Sequence, residues 1–444
     1  MGKDSHEIRD PIHVFAYFDS DERRIIDSRP FQRLRSIHQL ALTYLVYPGA
    51  THKRFEHSIG VMELATRVFD VVTAPRNIHS KVHDIIPSRR IEMDYWRRVL
   101  RIAALCHDIG HLPFSHAAEK ELLPQGWNHE RLTVEMLRSN EMRALFENMT
   151  PSLRTEDVVK IAVGEKELVK YQPRVQFSPW ETILAEIITG NAFGVDRMDY
   201  LLRDSYHSGV AYGKFDHYRL IDTLRILCIH NDEEDRDEPM LGVEIGGLHS
   251  AEALLLARYF MFSQLYYHDV RRIYDLHLKE FLLLWLADGK YQTDIEYHLA
   301  MTDNEVTAAF NQVARQPDHP AHDPARRLVT RGHYKVVYER NPNDLEINAN
   351  AVKSIYRALC GKFGKDVVRC DAPPPGASQS QNFPVLEGDN RIAWSLQESQ
   401  ILKEKLPPVT VGRVYVEPEI RDKAKKWLDD HREDILKQTE EEDV

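Results

Sequence analysis

The adjacent pair His107-Asp108 closes the segment EMDYWRRVLRIAALCHD, in which apolar side chains recur with helical period. This feature constrains the fold more than any other. A carboxylate at the end of an apolar helix needs a cation or several donors beside it, because burying it alone is costly. The surrounding stretch, LCHDIGHLPFSH, adds His111 and His116, and Gly110 and Pro113 end the helix so that the chain can turn. One turn cannot hold a complete metal shell, so the remaining ligands must come from elsewhere in the chain. His57 in HKRFEHSIG and Asp196 in FGVDRMDYL supply the matching imidazole and carboxylate. Such a set suits Fe, Mn, Ni, Zn or Mg without choosing among them. Four protein ligands leave open positions on an octahedral ion for water and a substrate oxygen.

Around this constellation the 444 residues read as a mainly α protein with a small α+β C-terminal lobe. Residues 1–20 are expected to form an extended or hairpin segment, 21–290 a helical catalytic core, and 291–444 a helical and α+β lobe. Helices are expected around HSIGVMELATRVFDVV, EMDYWRRVLRIAALCHD, HERLTVEMLRS (capped by Asn128) and GVDRMDYLLRDSYHS. Ser115 is placed to cap a short helix, HAAEKELL. Two helices are expected over 150–190, a polar loop at HNDEEDRDEP, and one long helix over roughly 249–288. HYKVVYERN and RVYVEPE read as strands, and EIRDKAKKWLDDHREDILK as a solvated helix.

Composition excludes several classes of function. No apolar run approaches membrane-spanning length, and MGKDSHEIRDPIH shows neither a signal-peptide core nor a myristoylation pattern. Cys106, Cys228, Cys360 and Cys370 are scattered without CxxC spacing, which argues against a thiolate site and fits a reducing cytoplasm. A net charge of −11 makes polyanion binding an unlikely main purpose, so nucleic acid is at most a secondary partner. A small phosphorylated ligand, which needs only a few local basic groups, remains compatible.

The strings FEHSIG, CHDIGHLPFSH and DRMDYLLRDSYHSG, preceded by IIDSRPFQRLRSIHQL and YPGATHKRFEHS, resemble the HD-domain deoxynucleoside triphosphate triphosphohydrolases (dNTPases). Within them the chain is similar to the mammalian SAM-and-HD-domain group without its SAM domain. The resemblance runs from about Asp10 to about Tyr274. It implies that His57, His107, Asp108 and Asp196 bind the metal and that His111 and His129 are catalytic. Glu119 stands where the family has an Asp partnering that histidine, and His116 matches a histidine facing the scissile α-phosphate. Arg54 and Arg258 match phosphate-binding arginines, and Arg197 replaces a Lys. Gln39, Tyr200 and Asp204 match sugar-binding residues, and Tyr266 matches an aromatic group that excludes a 2′-hydroxyl. Tyr267 replaces a Gln near the base edge. Asp27, Gln32 and Arg35 match residues that read the guanine of an activating nucleotide, GTP or a dNTP, bound between subunits of a homotetramer or dimer. His6 and Arg9 depart from the Lys and Asn expected beside that nucleotide.

The physical chemistry of the residues agrees with such a role. A histidine near neutrality suits proton transfer, and a carboxylate can fix its tautomer. Asp196, Tyr200 and Asp204, four apart, share one helix face. The expected activity is metal-dependent hydrolysis of a dNTP to deoxynucleoside and inorganic triphosphate. The competing readings are an HD phosphohydrolase of another nucleotide (monophosphate, cyclic or alarmone) and a non-catalytic nucleotide or single-strand-binding protein.

Overall fold

In the computed structural model, the helix Arg54–Val72 is buried around most of its circumference. A helix apolar on every side belongs in a core. It packs against Arg90–Cys106 and Val195–Ser208, the two helices that carry the other candidate metal ligands. Its N-terminus is closed by Glu56, whose carboxylate accepts from the Lys53 amide at 3.0 Å. Arg90–Cys106 is amphipathic over its first turns, and from Val99 to Cys106 every residue is buried. That places His107 and Asp108 inside the protein. The structure describes residues 5–115, 119–231, 236–372, 382–403, 406 and 409–437, with the backbone alone for Lys120, Asn231 and Arg236.

The chain divides into two compact units, each assembled from separate segments. The first comprises Met1–Met261, Tyr291–Glu305 and Ser380–Leu406; the second comprises Phe262–Lys290, Val306–Gln379 and Pro407–Val444. This grouping differs from contiguous boundaries at 20 and 290. The N-terminal strands Ser5–Asp10 and Val14–Asp19 form an antiparallel hairpin that belongs to the first unit. That unit also holds a four-stranded sheet of Leu224–Asn231, Arg236–Glu244, Pro384–Leu386 and Ile392–Trp394, in that spatial order. The second unit stacks Ala351–Phe363 and Arg421–Lys437 on a three-stranded antiparallel sheet with Arg413–Val416 at its centre. Val337, Val352, Ile355, Leu359, Val414 and Leu428 form its core. The protein is mainly α with small sheets, as its sequence implies.

Three expectations are corrected. HNDEEDRDEP is not simply a polar loop: Leu224–Asn231 and Arg236–Glu244 pair in register from Leu224↔Val243 to Asn231↔Arg236. The acidic run in the sequence hid the alternation on either side of it. Over 150–190 there are three helices, Thr155–Val163, Glu165–Tyr171 and Pro179–Thr189, the first two split at Gly164. The long helix over 249–288 is broken. Leu248–Met261 passes into a π-helical turn, Phe262–Tyr266, and Asp269–Trp285 restarts with His268 as its N-cap. The His268 side chain accepts from the Val270 amide there, a local competitor to helix continuation. Ser115 as a helix cap cannot be followed, because 116–118 lie outside the described residues. Among the described residues no helix is long and apolar enough to cross a membrane.

Candidate metal centre and active site

Three helix termini deliver the centre. His57 comes from the first turn of Arg54–Val72, His107-Asp108 from the end of Arg90–Cys106, and Asp196 from the first turn of Val195–Ser208. His57 Nε2 lies 3.0 Å from Asp196 Oδ1 and 3.7 Å from Asp108 Oδ2. His107 Nε2 lies 3.3 Å from Asp108 Oδ1 and 3.5 Å from Asp196 Oδ1. The four side chains expected to act as ligands therefore converge. His57, His107 and Asp108 by themselves meet the spatial requirement for holding an ion.

The tautomers fit the same reading. His107 Nδ1 donates to the Ala104 carbonyl at 2.8 Å, and His57 Nδ1 donates to Asp199 Oδ2 at 2.8 Å. Each bond turns Nε2 toward the carboxylates of the cluster, the nitrogen that would bind a metal. His107 Nε2 is buried without a hydrogen bond, an arrangement that needs a reason in a native core. Burial alone would keep His57 neutral, but its bonds to Asp196 and Asp199 outweigh burial and push its pKa up to about 10. His107 is raised too, burial being outweighed by the charges of Asp108 and Asp196. Both shifts report one local excess of negative charge, for which protons and a divalent ion compete. The residues present fit a divalent metal.

A second histidine pair sits beside the first. His111 Nε2 lies 3.2 Å from Asp108 Oδ1, and its ring stacks on His129 at 4.0 Å and 17°. Glu119 receives His129 Nδ1 at 2.8 Å and the His129 amide at 2.6 Å. The two rings are driven apart in acidity. Burial, then the positive Arg54 and His129, hold His111 well below the usual range. His129 is raised, because Glu119 outweighs its burial. Gly110 makes the stacking possible: a Cβ there would come within 2.3 Å of the His129 carbonyl and the Thr133 amide.

Arg54 is buried, with Nη1 on Asp108 Oδ2 and Nε donating to Ser115 Oγ at 2.9 Å. Its charge, working against the burial that would raise it, holds Asp108 well below the ordinary carboxylate range. Tyr200 is half-buried, and Arg197 and Arg258 are close enough to its hydroxyl to act on it electrostatically. Asp204 is buried and receives His52 Nε2 at 2.7 Å, while the His52 ring stacks on His207 at 4.5 Å. The Gln39 backbone N–H donates to the His52 carbonyl at 3.0 Å. Tyr266 lies in the π-helical turn Phe262–Tyr266, edge-on to Phe262. His116 lies outside the described residues. Arg35 Nε donates to Gln32 Oε1 at 2.9 Å and its guanidinium lies over the Phe55 ring, while Asp27 pairs with Arg23 at 3.3 Å.

Sequence reasoning passed over several residues that shape the centre. Asp199 binds the other nitrogen of His57, and its only signal was a second Asp three positions after Asp196. Asp303 accepts from His38 Nδ1 at 2.6 Å and from the Phe114 amide at 2.6 Å, which pins the turn that follows the His-Asp pair. Phe114 and Ser115 both have positive φ, 55° and 57°, so this turn needs such an external hold. A cavity of about 800 Å³ is lined by His107, Asp108, His129, Asp196, Glu130 and Glu186, among others. Burial pushes Glu186 up to about 7 despite a hydrogen bond from the Leu241 amide.

Residues 54–204 match the HD domain and 215–426 match the HD associated region. An uncharacterized protein of Methanocaldococcus jannaschii is 36% identical over 272 residues, 61% of this chain and 48% of that one. Deoxynucleoside triphosphate triphosphohydrolase SAMHD1 of Gallus gallus is 30% identical over 399 residues, 82% of this chain and 60% of that one. The chain thus spans about half to three-fifths of the length of these two relatives. A crystal structure of a hypothetical protein from Aquifex aeolicus superposes with a TM-score of 0.75 at 32% identity, covering 96% of this chain and 100% of that one.

Proposed function

Because the chain belongs to the HD-domain phosphohydrolases, with an HD domain followed by its associated region, we propose that it hydrolyses deoxynucleoside triphosphates to deoxynucleoside and inorganic triphosphate. One observation carries the reading: Arg54, a phosphate-binding type of side chain, is held against Asp108 inside the cluster His57, His107, Asp108 and Asp196. A divalent ion bound by those four would acidify water and screen phosphate charge. Arg54, Arg197 and Arg258 meet the triphosphate, a role guanidinium groups fill through paired donors.

His111, kept neutral, accepts the proton of the water that attacks the α-phosphorus. The bond from phosphorus to the 5′-oxygen breaks, and the oxygen takes a proton. His129, kept charged by Glu119, and His116 are the two candidate donors, and alanine variants of each separate them. Tyr200, Asp204 and Gln39 hold the sugar, with His52 orienting Asp204. Tyr266 excludes a 2′-hydroxyl. Asp27, Gln32 and Arg35 form a guanine-reading site for an activating GTP or dNTP in a homo-oligomer, a tetramer or dimer.

The test is to incubate metal-loaded protein with each dNTP, alone and with GTP or a second dNTP, and to separate the products by ion-exchange chromatography. Tripolyphosphate and deoxynucleoside in equal amounts are expected. Their absence from every combination overturns the reading. Release of orthophosphate from a monophosphate, cyclic or alarmone nucleotide would replace it with another HD chemistry.

A further inference from the structure

Asp199 is wholly buried and accepts four hydrogen bonds, which saturates its carboxylate. Oδ2 takes His57 Nδ1 at 2.8 Å and Arg203 Nε at 2.8 Å; Oδ1 takes His13 Nε2 at 2.7 Å and Arg203 Nη2 at 2.9 Å. Arg203, also wholly buried, continues through Nη1 to Asp10 Oδ2 at 2.8 Å. Asp10 Oδ1 in turn accepts the amides of Ile12 and His13, both at 2.8 Å, and so shapes the turn between the two N-terminal strands. The tip of the hairpin is thus tied, through Asp199 186 residues further along the chain, to the back of the metal-ligand candidate His57.

The helix that bears His57 is cut to receive this network. A Cβ on Gly60, one turn after His57, would stand 2.0 Å from Asp199 Oδ1 and 2.4 Å from Arg203 Nη2. No side chain fits there without evicting the carboxylate. A ligand histidine is normally oriented by a carboxylate on its other nitrogen, and such outer partners set metal affinity. Here that carboxylate is itself oriented, on its other oxygen, by the hairpin.

We propose that Asp199 and His13 are positioning residues of the metal centre, and that the N-terminal hairpin sets the metal affinity of His57 through His13–Asp199. The proposal rests on the metal-centre reading above but not on the identity of the nucleotide. Metal binding is therefore measured directly, by metal analysis after dialysis against Mn2+ or Fe2+ and by competition with a calibrated chelator. Circular dichroism and thermal melting check the fold of each variant.

Asp199→Asn and His13→Ala are expected to weaken metal binding about 10- to 100-fold, the usual effect of removing an outer partner. His13→Gln, which keeps an N–H donor, is expected to recover most of the affinity. Arg98→Ala is the control: Arg98 pairs with Asp19, at the far end of the hairpin, and with Asp21 in the helix that follows, and it touches nothing in the relay. It is expected to leave metal affinity unchanged. Folded His13→Ala protein with wild-type metal affinity overturns the proposal. So does an equal loss in Arg98→Ala, which would make hairpin docking alone responsible. Wild-type protein that binds neither ion overturns the metal reading and the relay together. A dNTP panel without tripolyphosphate overturns only the substrate assignment.

Discussion

His57 and His111 stand on either side of Asp108, yet the protein treats them in opposite ways. His57 is enclosed by Asp196 and Asp199, and its pKa is driven up to about 10 despite complete burial. His111 is just as buried, but it faces Arg54 and His129 and is driven well down. The same imidazole becomes a cation-seeking ligand position in one place and a neutral proton acceptor a few ångströms away. Burial pulls both down; at His111 the positive neighbours add to it, whereas at His57 the carboxylates overcome it. Environments that push paired groups apart in acidity mark out acid and base roles.

The strongest way to break the comparison is to remove the ligand side. His107→Ala with Asp108→Ala is expected to abolish metal binding and to bring nucleotide hydrolysis to background, read by metal analysis and product chromatography. Next in size, His111→Ala is expected to cost about 10²- to 10⁴-fold in kcat, the range for a proton-transfer group. It should also remove the acidic limb of the pH–rate profile, because a base with a lowered pKa loses activity only as pH falls through that value. His129, as one of the two candidate donors, would give the opposite limb. Glu119→Gln withdraws the charge that raises His129, so the alkaline limb should move to lower pH, with a smaller loss of rate of about 10-fold.

The smallest effect concerns stability rather than rate. After chelation, the raised pKa of His57 contributes stability that is complete below about 6.5, its ordinary value, and is lost as pH rises to about 10. The melting temperature of chelated protein should therefore fall across that window. Metal-loaded protein should change less, since the ion holds the imidazole in one state. Identical pH dependence with and without metal would show that His57 is not the shared ligand.

What the sequence made legible follows from distance along the chain. His107, Asp108 and His111 fall within one helix end and its turn, so their spacing already set their geometry. Asn128 capping His129–Leu137 was equally local. Asp196 was proposed as a second carboxylate, and the structure brings it to His57 and His107. Asp199 was not, since choosing it over Asp204 as the partner of His57 depends on how two helices rotate against each other. His13 was hidden in a hairpin whose docking no local pattern records. The break at Phe262–Tyr266 escaped because its apolar and aromatic side chains continue the helical stripe while the backbone does not.

Asp303 has a consequence for how the protein comes into being. The turn after the His-Asp pair is held by a carboxylate almost two hundred residues later, in a segment that rejoins the first unit after Asp269–Trp285 has been made. On the ribosome, His107 and Asp108 emerge long before the group that fixes the backbone beside them. Contacts so remote in sequence form late, after the loop between them closes. A fragment ending near residue 290 would leave His38 Nδ1 and the Phe114 amide without this acceptor.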